Sequence, residues 1–243
     1  MRAIYKRELM AYFTSPIGYV FSVIFFAISG FCFVTNTIEA QTTNTSAFFA
    51  MELMFFVILI PLLTMKLLSE EKKLKTEQIL LTSPVSLVGM VFAKFLAAFT
   101  IFAATLGVSS TIDMLALGSI ADSQMYVINN FNIPVFISCI TGLLLIGAAL
   151  IAIGLFISSL TENQIVAAVV SIGAFALIMF SGLLAQGIEN EFLRVVIKWF
   201  SVLERFTGFQ LGIFDFTAFI YYVSLTAVFL FLTVRVYEKR RWE

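Results

Sequence analysis

The chain has 243 residues, of which 60% are hydrophobic and 12% charged, and its mean hydropathy is +1.02. A soluble domain carries about 45–50% apolar and about 25% charged residues, so a single water-soluble core is excluded. Fifteen Lys and Arg cancel fifteen Asp and Glu, which gives no electrostatic reason to expect nucleic acid or an acidic partner. His is absent, and the two cysteines, Cys32 and Cys139, lie far apart inside apolar runs. That removes Ser-His-Asp and Cys-His catalysis, nearly every transition-metal site and any readable disulfide framework.

The chain opens with MRAIYKRELMAYFTSP. Tyr5, Leu9, Tyr12 and Phe13 share one helical face, with Lys6 and Arg7 displaced from it. Residues 1–15 therefore read as a helix in the headgroup layer, aromatics inward and bases on anionic lipid. Ser15-Pro16 breaks it, because the residue before proline is pushed out of the helical region. The apolar run that follows, Ile17 to Val34, is long enough for a first span across ~30 Å of hydrocarbon. It is too long for an ordinary signal-peptide core and has no small-residue cleavage site, so it reads as a retained helix. Ala47 to Met65 gives span two, interrupted by Glu52 and Pro61.

Ser69 to Ser86, SEEKKLKTEQILLTSPVS, joins spans two and three. Ser69 reads as a helix cap, with Glu70 and Glu71 in the first turn where the helix dipole favours acids. Lys72, Lys73 and Lys75 follow, then Ile79, Leu80 and Leu81, and a stop at Thr82-Ser83-Pro84. Adjacent branched aliphatics must be buried against lipid, against the rest of the chain, or against a cytoplasmic partner.

Span three runs from about Leu87 to Leu117, with Lys94 near one end and Asp113 near the other. Spans four and five, Ile133 to Ile157 and Gln164 to Leu184, are uncharged and joined only by Ser158 to Asn163, a tight antiparallel hairpin. Ala148 and Ala152, and Ala167 and Ser171, supply four-residue spacings of small residues suited to close helix contact. In the segment 187–215, Glu191, Arg194, Lys198, Ser201 and Arg205 draw one polar stripe along a helix. Phe192, Val195, Val196, Trp199 and Leu203 form its apolar face, so an amphipathic helix on the outer leaflet is expected. Phe216 to Val234 is span six.

Long apolar runs without alternation favour helices over barrel strands, since in hydrocarbon each backbone group must pair internally. The fold class is thus an all-α membrane protein with six transmembrane helices in one domain, 1–243. Twelve of the fifteen Lys and Arg flank one side of this arrangement. Only Arg194, Lys198 and Arg205 fall on the other, so both termini are expected in the cytoplasm.

Two stretches carry a resemblance. Lys6, Arg7, Glu8, Phe13, Ser15, Pro16, Gly18 and Tyr19 follow a "KRE…F.SP.GY" pattern. Ser69, Glu70, Glu71, Lys72, Thr76, Glu77, Leu80, Leu81, Pro84, Val85 and Ser86 follow "SEEK…GT.E.LL..PVS". Together they closely resemble the membrane subunits of type-2 ABC exporters, in the group of the gliding-motility-associated and nitrous-oxide-reductase-maturation permeases. Lys75 stands where that group has Gly, and a helix accommodates Lys better than Gly.

The resemblance implies a permease of the bacterial cytoplasmic membrane, paired with a second copy or homologue, contacting lipid, and seated on two cytoplasmic ABC ATPase subunits that bind ATP and Mg. It implies ATPase coupling through Ser69, Glu70, Glu71, Lys72, Thr76, Glu77, Leu80, Leu81 and Pro84. Lys6, Arg7, Phe13 and Pro16 would form the membrane-interface helix, and Glu191, Arg194, Lys198 and Trp199 the external one. The sequence holds no GxxxxGK[ST] loop, so this chain lacks a phosphate cradle of that kind. Twenty-eight Phe suit a hydrophobic or lipid-like cargo. Two other readings stand beside this one. An ion-coupled transporter would use Glu52 and Asp113, although both fall near the outer ends of their helices, where water or headgroups are expected to reach them. A non-transporting membrane anchor could also recruit an ATPase.

Overall fold

The computed structural model describes residues 2–40, 42, 44–73, 86–122, 132–187, 190–199 and 201–242. Helix α1 spans Arg2–Thr14 and α2 Pro16–Phe33, extended by a π-helical segment, Val34–Glu39. They are followed by α3 Thr45–Thr64, α4 Ser69–Lys73, α5 Leu87–Asp122, α6 Ile133–Leu160 and α7 Gln164–Gln186. The chain closes with α8 Glu191–Trp199, α9 Val202–Gln210 and α10 Phe216–Trp242. Among the described residues every regular element is helical. Six stretches are long and apolar enough to cross a membrane: Pro16–Glu39, Thr45–Lys73, Leu87–Gly118, Ile133–Leu160, Gln164–Leu183 and Phe216–Arg241.

The uncharged α6 is the centre of the bundle. It touches α3, α4, α5, α7, α9 and α10, and a span buried over most of its length by other helices can be apolar all round. Two glycines let its neighbours come close. A Cβ on Gly154 would lie 2.4 Å from the Thr64 hydroxyl oxygen on α3, and one on Gly147 would lie 2.2 Å from the Phe102 ring on α5. Phe102 also packs on Phe56 and Phe25, with ring centroids 5.2 and 6.4 Å away, so α2, α3 and α5 meet at one aromatic cluster. Ala152, Ala167 and Ser171 are buried, as close helix contact requires.

The expected break at Ser15-Pro16 is present. Ser15 is extended (φ −95°, ψ 152°) and Pro16 begins α2, where a missing N–H costs nothing. The tight connection between α6 and α7 is also present, with the Asn163 side chain accepting the Ile165 N–H at 2.9 Å.

Three expectations need correction. Part of the aromatic face of the amphipathic start packs on protein. Tyr5 bonds Thr100 on α5 at 3.0 Å and Tyr12 is buried, because these hydroxyls find protein partners that hydrocarbon cannot supply. Of that face Phe13 remains exposed, in edge contact with Tyr19.

The single polar stripe over 187–215 is divided between two nine-residue helices, α8 and α9. Ser201 is fully buried and caps α9, accepting the Glu204 N–H, so a residue read as part of a wet face is a helix start. Finally, Glu52 and Asp113 are only 1% and 6% exposed; the solvated helix-end environment expected for them is not what surrounds them.

Candidate functional site: the root of the segment after span two

A helix leaves its last four carbonyls without intrahelical donors. At the end of α3 and in the turn that follows it, the Leu63, Met65 and Leu67 carbonyls are claimed by side chains from three other helices. The Tyr12 hydroxyl of α1 donates to Leu63 O at 2.9 Å. The Ser158 hydroxyl of α6 donates to Met65 O at 3.2 Å, and the Lys94 ammonium of α5 donates to Leu67 O at 2.9 Å. Ser158 also accepts the Leu68 and Ser69 N–H groups at 3.2 and 3.1 Å. One hydroxyl thereby holds both sides of the turn that leads into α4.

Lys94 is the hub. It is 1% exposed and meets Glu71 at 2.9 Å and Glu8 at 3.2 Å besides Leu67. All three ammonium donors are thus satisfied, which offsets the cost of burying them. Arg7 lies outside this core, bridging Glu8 at 2.8 Å and Glu71 at 3.3 Å. Two acids and two bases form a neutral cluster joining α1, α4 and α5. A cavity of about 190 Å³ opens beside it, lined in part by Glu8, Tyr12, Lys66, Glu70 and Lys94. Burial pushes the Tyr12 phenol up from its ordinary range, so Tyr12 acts as a neutral donor.

Gly18 of the first motif has a specific role here. A Cβ at that position would stand 2.5 Å from the Tyr12 carbonyl oxygen, a backbone atom that cannot step aside. Only glycine allows α2 to turn this closely beneath α1.

The sequence-derived coupling residues separate into two groups. Ser69 does not cap α4. Its hydroxyl donates back to Met65 O, a pairing open to any serine one turn along from a carbonyl. Glu70 pairs with Lys66 at 3.2 Å within its own chain, Glu71 is held by Lys94 and Arg7, and Lys72 is buried. The first turn therefore anchors the segment to the bundle and is not a free acidic face. Thr76, Glu77, Leu80, Leu81 and Pro84 lie outside the described residues.

Among the membrane-interface residues, Lys6, Arg7 and Pro16 are exposed at the same end of the bundle. Glu191 and Arg194 are exposed on α8, which Asn190 caps by accepting the Phe192 N–H at 3.1 Å. Lys198 and Trp199 belong to the same helix. These last residues stand apart from the Lys94 cluster, at the other end of the spans. Sequence reasoning missed Lys94, Glu8, Tyr12 and Ser158 as site residues. A lone lysine seven residues into an apolar span was the available signal, because a charge there requires a partner.

The cluster offers no nucleophile next to a base and no metal-ligand set. Its role is structural: it ties the start of segment 69–86 to the first helix and the third span. No curated protein matches the chain. Residues 36–237 match the family described as ABC-2 family transporter protein, which covers most of the sequence, α3 through most of α10, and with it Glu71, Lys94 and Ser158 of the anchored root. The chain belongs to the ABC-2 transporter family.

Proposed function

We propose that this chain is the permease subunit of an ATP-binding-cassette exporter whose energy comes from a separate cytoplasmic ATPase docked on segment 69–86. The observation that carries this reading is the Lys94 cluster. A loop that only linked two spans would need no buried ion pairs to its flanking helices, whereas a loop that is pulled upon needs a stiff root. Force applied beyond Lys73 reaches α5 through the Glu71–Lys94 pair, α1 through Glu8, and α6 through Ser158. On this reading the nearby apolar Ile79, Leu80 and Leu81 fill a cleft in the ATPase. ATP and Mg are bound by that partner, and ATPase closure tilts α3 and α5 together.

The excess of Lys and Arg at the Lys94 end supports a cytoplasmic location for that end and for both termini. This arrangement suits the cytoplasmic membrane of a bacterium. The two motifs support the narrower placement beside the gliding-motility-associated and nitrous-oxide-reductase-maturation permeases. Two permeases, identical or homologous, and two ATPases would complete the transporter, and the Phe-rich interior suits a hydrophobic or lipid-like cargo. The test is a pull-down of the co-expressed ATPase with a Leu80→Asp/Leu81→Asp variant. Loss of the ATPase from a permease that still inserts is the expected result, and undiminished association refutes the docking assignment.

A further inference from the structure

At the opposite end of the bundle, α2, α3 and α5 bring together two carboxylates and two hydroxyls. Asp113 accepts a hydrogen bond from Ser29 at 3.3 Å, and Ser109 donates to Ser29 at 2.7 Å. Ser109 and Asp113 stand one turn apart on the same face of α5. Glu52, on α3, is close enough to Ser29 and Asp113 to feel both. It is 1% exposed, and no hydrogen bond reaches either carboxylate oxygen, the Ser29 hydroxyl proton being given to Asp113. A buried carboxylate without a well-placed donor is a costly arrangement for a protein interior.

Among the described residues no base is paired with either acid to repay that cost. Among the described residues the titratable neighbour in the field of both acids is a thiol, Cys32 on α2. Helices α6 and α7, which pack on α3, contain no Lys or Arg, and Cys139 is their sole titratable group. The π-helical segment after α2 ends in a further acid, Glu39. Lys94 is on α5, but nineteen residues from Asp113, about 28 Å along the helix. Arg205 lies 4.2 Å over the Tyr221 ring, Arg194 is exposed on α8, and neither forms an ion pair with these acids.

We propose that Ser29, Glu52, Ser109 and Asp113 form a binding site for a monovalent cation, Na⁺ or a proton, which supplies the missing positive charge between spans one, two and three. The inference goes beyond the permease reading and does not depend on an ATPase. A hard cation selects oxygen ligands, and this site presents carboxylate and hydroxyl oxygens. Ca²⁺ fits poorly, because it takes roughly six to eight oxygens and the two hydroxyls here are already bonded to each other and to Asp113.

The test uses the purified full chain in detergent and compares it with Glu52→Gln/Asp113→Asn. Melting is followed against NaCl and CaCl2 with choline chloride as the control, and separately against pH without sodium. A cation at about a hundredfold excess over its dissociation constant should raise the wild-type Tm by about 5–10 °C, with no such rise in the variant. A sodium-dependent rise identifies Na⁺, and a rise on mild acidification alone identifies the proton. Wild type indifferent to both, a rise equal in the variant, or a response to Ca²⁺ only overturns the proposal. Should the variant fail to fold, wild-type labelling of Glu52 by dicyclohexylcarbodiimide, read by mass spectrometry, decides. Labelling suppressed by Na⁺ or by raised pH supports the site, and labelling indifferent to both, or no labelling under any condition, overturns it.

Discussion

Replacing Lys94 by methionine keeps most of the side-chain volume and removes the charge that Glu8 and Glu71 share. Their oxygens lie 3.2 and 2.9 Å from the same nitrogen, hence at most about 6 Å from each other. Two like charges at that separation repel by about 3 kcal/mol at an effective dielectric constant of about 20. Two effects soften this. The carboxylate side chains retain 13% and 15% exposure, and Arg7 still bridges them. Leu67 O also loses its donor, which adds about 1 kcal/mol. The expected net loss is about 2–4 kcal/mol, close to that for breaking a buried pair. For a chain of this length it corresponds to a Tm lower by about 5–15 °C. The assay is thermal unfolding in detergent, paired with stimulation of ATP hydrolysis in the assembled transporter. Adding Glu8→Gln and Glu71→Gln to Lys94→Met should restore more than half the lost stability but not the coupling, since the repulsion is gone and so is the link. A Lys94→Met protein melting with wild type, or one not helped by neutralising both glutamates, refutes the reasoning.

Ser158→Ala leaves two N–H groups of the turn without their acceptor and should cost about 1–3 kcal/mol, read as a lower Tm and faster proteolysis after Lys66. Gly154→Ala places a methyl group against Thr64 and should cost about 1–3 kcal/mol by overpacking. Thr64→Ala in the same chain should recover most of that loss, and an absence of rescue argues against the α3–α6 approach. Gly18→Ala should separate α1 from α2, detected as increased labelling of a cysteine placed at Tyr12, while an unlabelled Tyr12→Cys/Gly18→Ala protein would show that the close turn tolerates a side chain. A cysteine at Arg194 should label from the side opposite the termini, and labelling from the same side removes the six-span topology.

The spans were legible because a membrane imposes a length and a composition that no local detail overrides. Pro16 was equally plain, since a proline's fixed geometry acts through its immediate neighbours. What the sequence concealed depends on which side chains meet across the bundle. Lys94 looked like a flank of span three that merely reported orientation; its value as a hub arises from Glu8, eighty-six residues earlier, and Glu71. Ser158 looked like the start of a hairpin connection, yet it serves a turn on another helix. Position near the helix ends suggests that water or headgroups reach Glu52 and Asp113, whereas burial follows from neighbouring helices and not from position along one's own. Ser201 continued a polar stripe by spacing alone, while its use as a cap required the chain to stop and restart there.

The measurement that bears most directly on the central claim is affinity purification of the chain from its native membrane in mild detergent, with the bound subunits identified and ATP hydrolysis assayed. The expected result is an ABC ATPase held in stoichiometric amount, with its hydrolysis altered by the permease and uncoupled by Lys94→Met. A preparation that moves its cargo with no such ATPase present contradicts the account.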